Sequence, residues 1–134
     1  ATGGGRDKAK RPEMGKVADE FADYIFVTDD DPYEEDEWKI IEEVCGGINR
    51  DEGDRLWKIA DRREAIRLAL TMAGEGDTVV VSGKGCEEVM KVRGKTIPWS
   101  DKEVIKGLLE REIEVEIMPN RWEKRENVCL ENSV

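Results

Sequence analysis

Short apolar runs alternate along the chain with longer segments whose apolar positions recur at helical spacing. Strands are predicted at residues 24–28, 56–59 and 78–81. Helices are predicted at residues 12–22, 35–44, 62–73 and 104–110, and a β-hairpin at residues 89–99. Strands and helices in alternation predict an α/β fold, here a three-layer, Rossmann-like, mainly parallel sheet with helices on both faces.

The stretch from Thr78 to Val81 is expected to be the central strand of this sheet. Its unbroken apolar run predicts coverage on both faces, as in a parallel strand. It ends at the turn Gly83-Lys84-Gly85, whose glycines allow tight turning and close approach to a ligand. Ligands of open α/β sheets bind at the carboxyl ends of such strands, so this turn is the first candidate site.

The predicted domain covers residues 1–111, and residues 112–134 form a carboxy-terminal extension. Ile113, Val115 and Ile117 alternate with glutamates, which predicts an edge strand at the start of the extension. Pro119 is expected to end that strand, and the remaining residues are expected to be disordered.

Composition narrows the class of protein. The chain has 134 residues and a net charge of −10, which argues against a general nucleic-acid binder. It has no apolar run long enough for a membrane span and no signal peptide, so a cytoplasmic location is expected. No histidine accompanies the three cysteines, so free thiols are expected rather than a metal site.

Five groups of motifs follow one another along the chain: Gly4–Lys8 with Lys10–Gly15, Thr28–Pro32, Asp61–Ile66, Gly83–Glu87 and Ser100–Asp101. In order and in register, they resemble the carboxy-terminal domain of the Mur ligases, most closely the UDP-N-acetylmuramoyl-tripeptide synthetases. The resemblance covers about residue 3 to about residue 110.

The resemblance implies an ATP-dependent ligase that joins an amino acid to a UDP-linked muramoyl peptide through an acyl phosphate. ATP and Mg²⁺ would be bound mainly by a central domain with a phosphate-binding loop, and this sequence has no such loop. The chain alone is therefore expected to be inactive. The family domain also begins with strands that are absent here, so a homodimer or a swapped assembly is a further expectation.

The resemblance also implies roles for particular residues. Arg6 would pair with the carboxylate of the incoming amino acid, and Glu87 would hold the distal amine of a diamino acid, with Gly83 offering its backbone. Asp7 and Lys8 would meet ATP during domain closure. The plain alternatives are a solvated loop arginine, a glutamate favoured by a helix start, a simple turn and solvated charges. No catalytic residue and no metal ligand is assigned to this chain.

Two positions depart from the pattern of relatives that use diaminopimelate. Those relatives carry Asn and Arg where this chain has Asp31 and Tyr33. The missing arginine leaves the second carboxylate of diaminopimelate without a partner, and Asp31 adds a negative charge. A lysine-like diamine is therefore the expected substrate, unless Asp31 is only a turn residue before Pro32.

Two other interpretations stay open. One is an archaeal pseudomurein ligase or another peptide ligase of the same family, since Cys86 also departs from the family pattern, which has His there. The other is a non-catalytic α/β module that binds a small ligand or a protein.

Overall fold

A computed structural model describes residues 1–116, and the side chains of residues 1–110. The elements in chain order are α1 (Lys10–Phe21), β1 (Ile25–Thr28), α2 (Glu37–Cys45), β2 (Leu56–Ile59), α3 (Arg62–Met72), β3 (Val89–Val92), β4 (Lys95–Pro98) and α4 (Asp101–Glu116). The first of two compact units is Ala1–Asp101, and it contains every site residue discussed below. Within the described part of the chain, no helix has the length and apolar character that a membrane crossing requires.

Two parallel strands form the centre of the first unit. β1 pairs with β2 in a register that places Ile25 opposite Leu56 and Thr28 opposite Ile59. Alternate residues of a strand point to opposite faces, so β1 contributes to two layers. One layer is the buried core Ile25, Val27, Ile41, Val44 and Leu56.

The other face of β1 carries Phe26, whose ring stacks on Trp57 with centroids 5.0 Å apart. α3 packs against both strands. Parallel strands with helices packed around them confirm the predicted α/β class.

The buried residues of α1 are Arg11 and Gly15, rather than its large apolar residues. Met14, Val17 and Phe21, which recur at helical spacing, are 40%, 58% and 77% exposed. A Cβ atom on Gly15 would lie 2.1 Å from the Val44 carbonyl oxygen. Because α2 approaches α1 this closely at Gly15, no side chain fits at that position.

The predicted central strand is absent, and this is the main correction to the expected fold. Residues 77–82 have no assigned strand structure, and Val80 is 82% exposed. They form one wall of a groove of about 870 Å³ whose other walls are β1 and α3. A strand requires a hydrogen-bonded neighbour, and among the described residues β1 pairs only with β2.

The hairpin is confirmed. β3 and β4 pair antiparallel, with Val89 opposite Pro98 and Val92 opposite Lys95. The connecting residues Arg93 and Gly94 both have positive φ angles, 46° and 74°, which match the right-handed twist of a tight hairpin.

The segment after residue 110 differs from the expectation where the structure describes it. α4 continues to Glu116, so Ile113 and Val115 are helical and do not form the predicted edge strand. The rest of the predicted extension, from Ile117 onward, lies outside the described residues.

Candidate functional site

The glycine loop (residues 3–8) lies directly against the acidic turn (residues 29–33) that follows β1. The Gly4 amide donates a hydrogen bond of 2.6 Å to the Asp31 carbonyl oxygen. A Cβ atom on Gly4 would lie 2.0 Å from the Pro32 carbonyl oxygen, which no side chain tolerates. Glycine is therefore required where these two segments meet.

A buried arginine anchors the other side of the glycine loop. Arg11 is 0% exposed, and its guanidinium donates to both carboxylate oxygens of Glu35 at 3.1 Å. Glu35 also accepts a bond of 2.6 Å from the Gly5 amide and lies 3.3 Å from the Lys8 ammonium. The Arg11 hydrogen bonds, above all, lower the pKa of Glu35 to about 2. This cluster holds the loop that carries Arg6.

The Gly-Lys-Gly turn lies against the same acidic turn. Gly83 has φ +114°, and a Cβ atom there would lie 2.9 Å from Asp30 Oδ2. Arg62 joins the two turns because its guanidinium donates to the Ser82 carbonyl at 2.9 Å and to the Asp29 carbonyl at 3.0 Å. The same guanidinium is paired with Asp101, at 2.8 and 2.6 Å.

Lys84 is buried among carboxylates. It is 1% exposed, and its Nζ lies 2.8 Å from Asp31 Oδ1, 2.8 Å from Glu87 Oε2 and 3.8 Å from Asp30 Oδ1. Burial alone would lower the pKa of this ammonium, but the hydrogen bonds to Asp31 and Glu87 outweigh burial and raise it. Lys84 is therefore charged, and it partly neutralises the two carboxylates expected to attract a diamine.

The hairpin closes a third side through backbone bonds. Tyr33 has φ 54°, a left-handed conformation, and its amide donates to the Lys91 carbonyl at 3.3 Å while its carbonyl accepts from Arg93 at 2.9 Å. The Lys91 amide donates to Asp31 Oδ1 at 2.7 Å. The acidic turn is thus fixed against β3.

These contacts enclose a cavity of about 250 Å³. No hydrogen bond or ion pair within the described residues engages the Arg6 guanidinium, which leaves it available to a ligand. Asp7 and Lys8 do not line this cavity. All five residues expected to bind substrate are in the lining: Arg6, Asp31, Tyr33, Gly83 and Glu87.

Sequence reasoning missed two charged residues of this site. Lys84 was treated only as part of a turn, and Asp30 was not assigned a role. Burial raises the pKa of Asp30, while Arg62 and Lys84 oppose the shift. Burial also raises the pKa of the neighbouring Asp29 to about 6. The three consecutive aspartates at positions 29–31 indicated a concentration of negative charge, but nothing in the sequence paired them with Lys84.

The carboxylates of this site do not form a metal centre. The described part of the chain contains no group of three or more cysteine or carboxylate side chains arranged to hold a metal ion.

Comparison with known proteins gives the cavity its context. Residues 1–85 match the family model of the Mur ligase, glutamate ligase domain. The UDP-N-acetylmuramoyl-L-alanyl-D-glutamate--2,6-diaminopimelate ligase of Aquifex aeolicus is 46% identical over 107 residues, which are 80% of this chain and 22% of that protein. The enzyme of the same name from Syntrophomonas wolfei is 43% identical over 107 residues, with the same shares.

A solved structure agrees with these sequence matches. The structure of a UDP-N-acetylmuramoyl-L-alanyl-D-glutamate--2,6-diaminopimelate ligase superposes with a TM-score of 0.75 at 34% identity, covering 82% of this chain and 22% of that one. The chain thus spans about a fifth of the length of the relatives it matches. Fold, motifs and relatives agree, and the chain belongs to the Mur ligase family, carrying the carboxy-terminal glutamate ligase domain that its motifs indicated.

Proposed function

We propose that this chain is the amino-acid-binding domain of an ATP-dependent ligase that extends a UDP-N-acetylmuramoyl dipeptide in peptidoglycan precursor synthesis. ATP would phosphorylate the carboxylate of the dipeptide. The amine of the incoming amino acid would then attack the acyl carbon, so that an amide forms and inorganic phosphate leaves. The domain described here would hold the amino acid with its amine free to react.

One observation carries this proposal. Arg6, Gly83 and Glu87, which come from separate segments of the chain, line the same small cavity as Asp31 and Tyr33. A guanidinium without a partner among the described residues and a carboxylate in the same cavity match the two charges of an amino acid. The volume of about 250 Å³ suits a small metabolite rather than a polymer.

Diaminopimelate is the amino acid that we propose. The relatives from Aquifex aeolicus and Syntrophomonas wolfei carry that compound in their names. The charge argument for a lysine-like diamine counted Asp31 and Glu87 as unpaired, whereas both are bonded to Lys84. The lysine preference is therefore not supported.

The remaining partners follow from this proposal. ATP and Mg²⁺ would be held mainly by other parts of a longer protein, with the exposed Lys8 and the neighbouring Asp7 as candidate contacts to ATP during closure. A ligase supplied with ATP and a nucleotide-linked peptide would act in the cytoplasm. A homodimer or swapped assembly stays a prediction.

The test uses the full-length protein encoded by the reading frame that contains this chain. Phosphate release is measured with ATP, Mg²⁺, UDP-N-acetylmuramoyl-L-alanyl-D-glutamate and a panel of amino acids. We expect release to depend on diaminopimelate. If no amino acid in the panel stimulates phosphate release, or if release does not require the muramoyl dipeptide, the ligase is refuted and a binding module is favoured.

Arg6→Ala sharpens the same assay. Loss of the guanidinium should raise the KM for the amino acid about tenfold or more, because a carboxylate then enters the cavity without its partner. Arg63→Ala is the matched control, since Arg63 is exposed on α3 and does not line the cavity. Equal effects of the two substitutions would remove Arg6 from the site.

A further inference from the structure

The charged residues Arg6, Asp30, Asp31 and Glu87 line the cavity, whereas Lys84 does not. Its ammonium lies against the carboxylates of Asp31 and Glu87, both of which do line it. Lys84 is 1% exposed, so a ligand cannot displace it or reach it directly. The protein thus contains a permanent internal cation that shares the carboxylates on which a diamine would depend.

The carboxylates of Asp31 and Glu87 already accept hydrogen bonds within the protein, which limits the new hydrogen bonds that a ligand can form with them. Asp31 Oδ1 already accepts two bonds, from Lys84 at 2.8 Å and from the Lys91 amide at 2.7 Å. Glu87 gives Oε2 to Lys84, and its side chain is 54% exposed. Asp31, Glu87 and Lys84 together carry a net charge of about −1. Asp30, which also lines the cavity and lies 3.8 Å from the Lys84 ammonium, adds negative charge when it is ionised.

We propose that Lys84 sets the charge preference at the distal end of the amino-acid site, favouring an end that carries both an ammonium and a carboxylate over a bare ammonium. Without Lys84, two carboxylates would attract the single positive charge of a lysine-like end. With Lys84 present, that attraction is weakened, and a neutral zwitterionic end such as that of diaminopimelate gains in comparison. This inference rests on the proposed function, because it takes the cavity as the amino-acid site. Lys84 acts through Asp31 and Glu87, so it is a positioning residue rather than a catalytic one.

The experiment is a charge series in the full-length ligase. The measured quantity is the ratio of kcat/KM for meso-diaminopimelate to kcat/KM for L-lysine. Lys84→Met makes the distal end more negative and should lower this ratio about tenfold, mainly through a lower KM for lysine. Asp31→Asn makes the distal end less negative and should raise the ratio. The double variant restores the net charge and should return the ratio towards its original value.

Lys91→Met is the matched control. It removes a nearby positive charge whose ammonium donates to Thr96, and it keeps the backbone bond from residue 91 to Asp31. The ratio should stay unchanged in this variant. A purely structural role for Lys84 would lower both kcat/KM values equally, so an unmoved ratio in Lys84→Met overturns the inference.

Folding failure does not remove the test. If Lys84→Met does not fold, Asp31→Asn retains the buried lysine and still predicts a higher ratio, and an unchanged or lower ratio contradicts the proposal. The two proposals also fail differently. Absence of amino-acid-dependent phosphate release refutes the ligase function, whereas an active ligase with a ratio insensitive to charge refutes only the role of Lys84.

Discussion

Val80 and Lys84 are four positions apart, and their environments are the reverse of what their side chains suggest. The valine is 82% exposed and the lysine is 1% exposed. Lys84 is buried because carboxylates from three other positions surround its ammonium. Val80 is exposed because no strand lies beside residues 77–82 among the described residues.

The comparison teaches that different interactions order the two regions. In the turn, ion pairs and glycine contacts fix the backbone through specific partners. In the segment before it, order would have to come from a sheet, and a sheet requires a neighbouring strand.

Lys84→Met should have the largest effect on stability. It leaves Asp31, whose side chain is 13% exposed, without its ionic partner, and we expect a loss of about 3–5 kcal/mol in the free energy of unfolding. Urea denaturation of the chain measures this. Adding Asp31→Asn should recover part of the loss, because the unpaired buried charge is then gone. Lys95→Met, at an exposed position on β4, should have little effect. Equal stabilities of the Lys84 and Lys95 variants would show that the buried ion pairs do not stabilise the turn.

Gly4→Ala should have the next largest effect. The added methyl would lie 2.0 Å from the Pro32 carbonyl oxygen, so the glycine loop must move, at a cost of about 2–3 kcal/mol. Gly5→Ala is the matched control, since no atom lies within 4 Å of its Cβ position and only the φ of +61° opposes it. That strain should cost about 1 kcal/mol in the same urea titration. A smaller effect at Gly4 than at Gly5 would contradict the close contact.

Asp29→Asn tests a carboxyl group whose ionised form is disfavoured by burial. The pKa of Asp29 is about 6 in the folded chain against an ordinary value of 3.8, so the folded state binds the proton more tightly. Its contribution therefore makes the free energy of unfolding fall as pH rises from about 4 to about 6.

The asparagine variant should lack that decline, and it should be more stable than the original chain by about 1 kcal/mol at pH 7. Urea denaturation at pH 4.5 and pH 7.5 measures both quantities. Glu35→Gln provides the contrast, because the pKa of Glu35 is lowered to about 2 and its contribution is lost only in strong acid. An identical pH profile for Asp29→Asn and the original chain would refute the assignment.

Val80→Thr should have the smallest effect. It keeps the branched shape and changes one methyl to a hydroxyl on a side chain that is mostly in solvent, so we expect a change within about 0.5 kcal/mol. Thermal unfolding of the two chains measures this. A loss well above 1 kcal/mol would show that this side chain is covered in solution.

Much of the fold follows from local pattern. The hairpin, the three helices α1 to α3 and the strands β1 and β2 were predicted because their periodicity and turn residues lie within each segment. The segment 78–81 was not predicted correctly, because a β-branched run becomes a strand only beside another strand. The buried side of α1 does not follow from apolar spacing either, since its buried residues are Arg11 and Gly15.

The residues that form the site were predictable from the sequence, but the net charge of the site was not. Family motifs indicated Arg6, Gly83 and Glu87, and these residues line one cavity. The role of Lys84 was not predicted, because its partner Asp31 is 53 positions away and no local pattern reveals an ion pair between residues so far apart. The argument for a lysine-like substrate was incomplete for the same reason, since its count of charges omitted the buried Lys84 ammonium.

Asp31 meets three parts of the chain that are distant in sequence. Its carbonyl receives the Gly4 amide, and its Oδ1 receives both the Lys84 ammonium and the Lys91 amide. A displacement of this residue would be transmitted to all three segments together. The position of Asp31 therefore fixes the glycine loop, the Gly-Lys-Gly turn and the hairpin relative to one another.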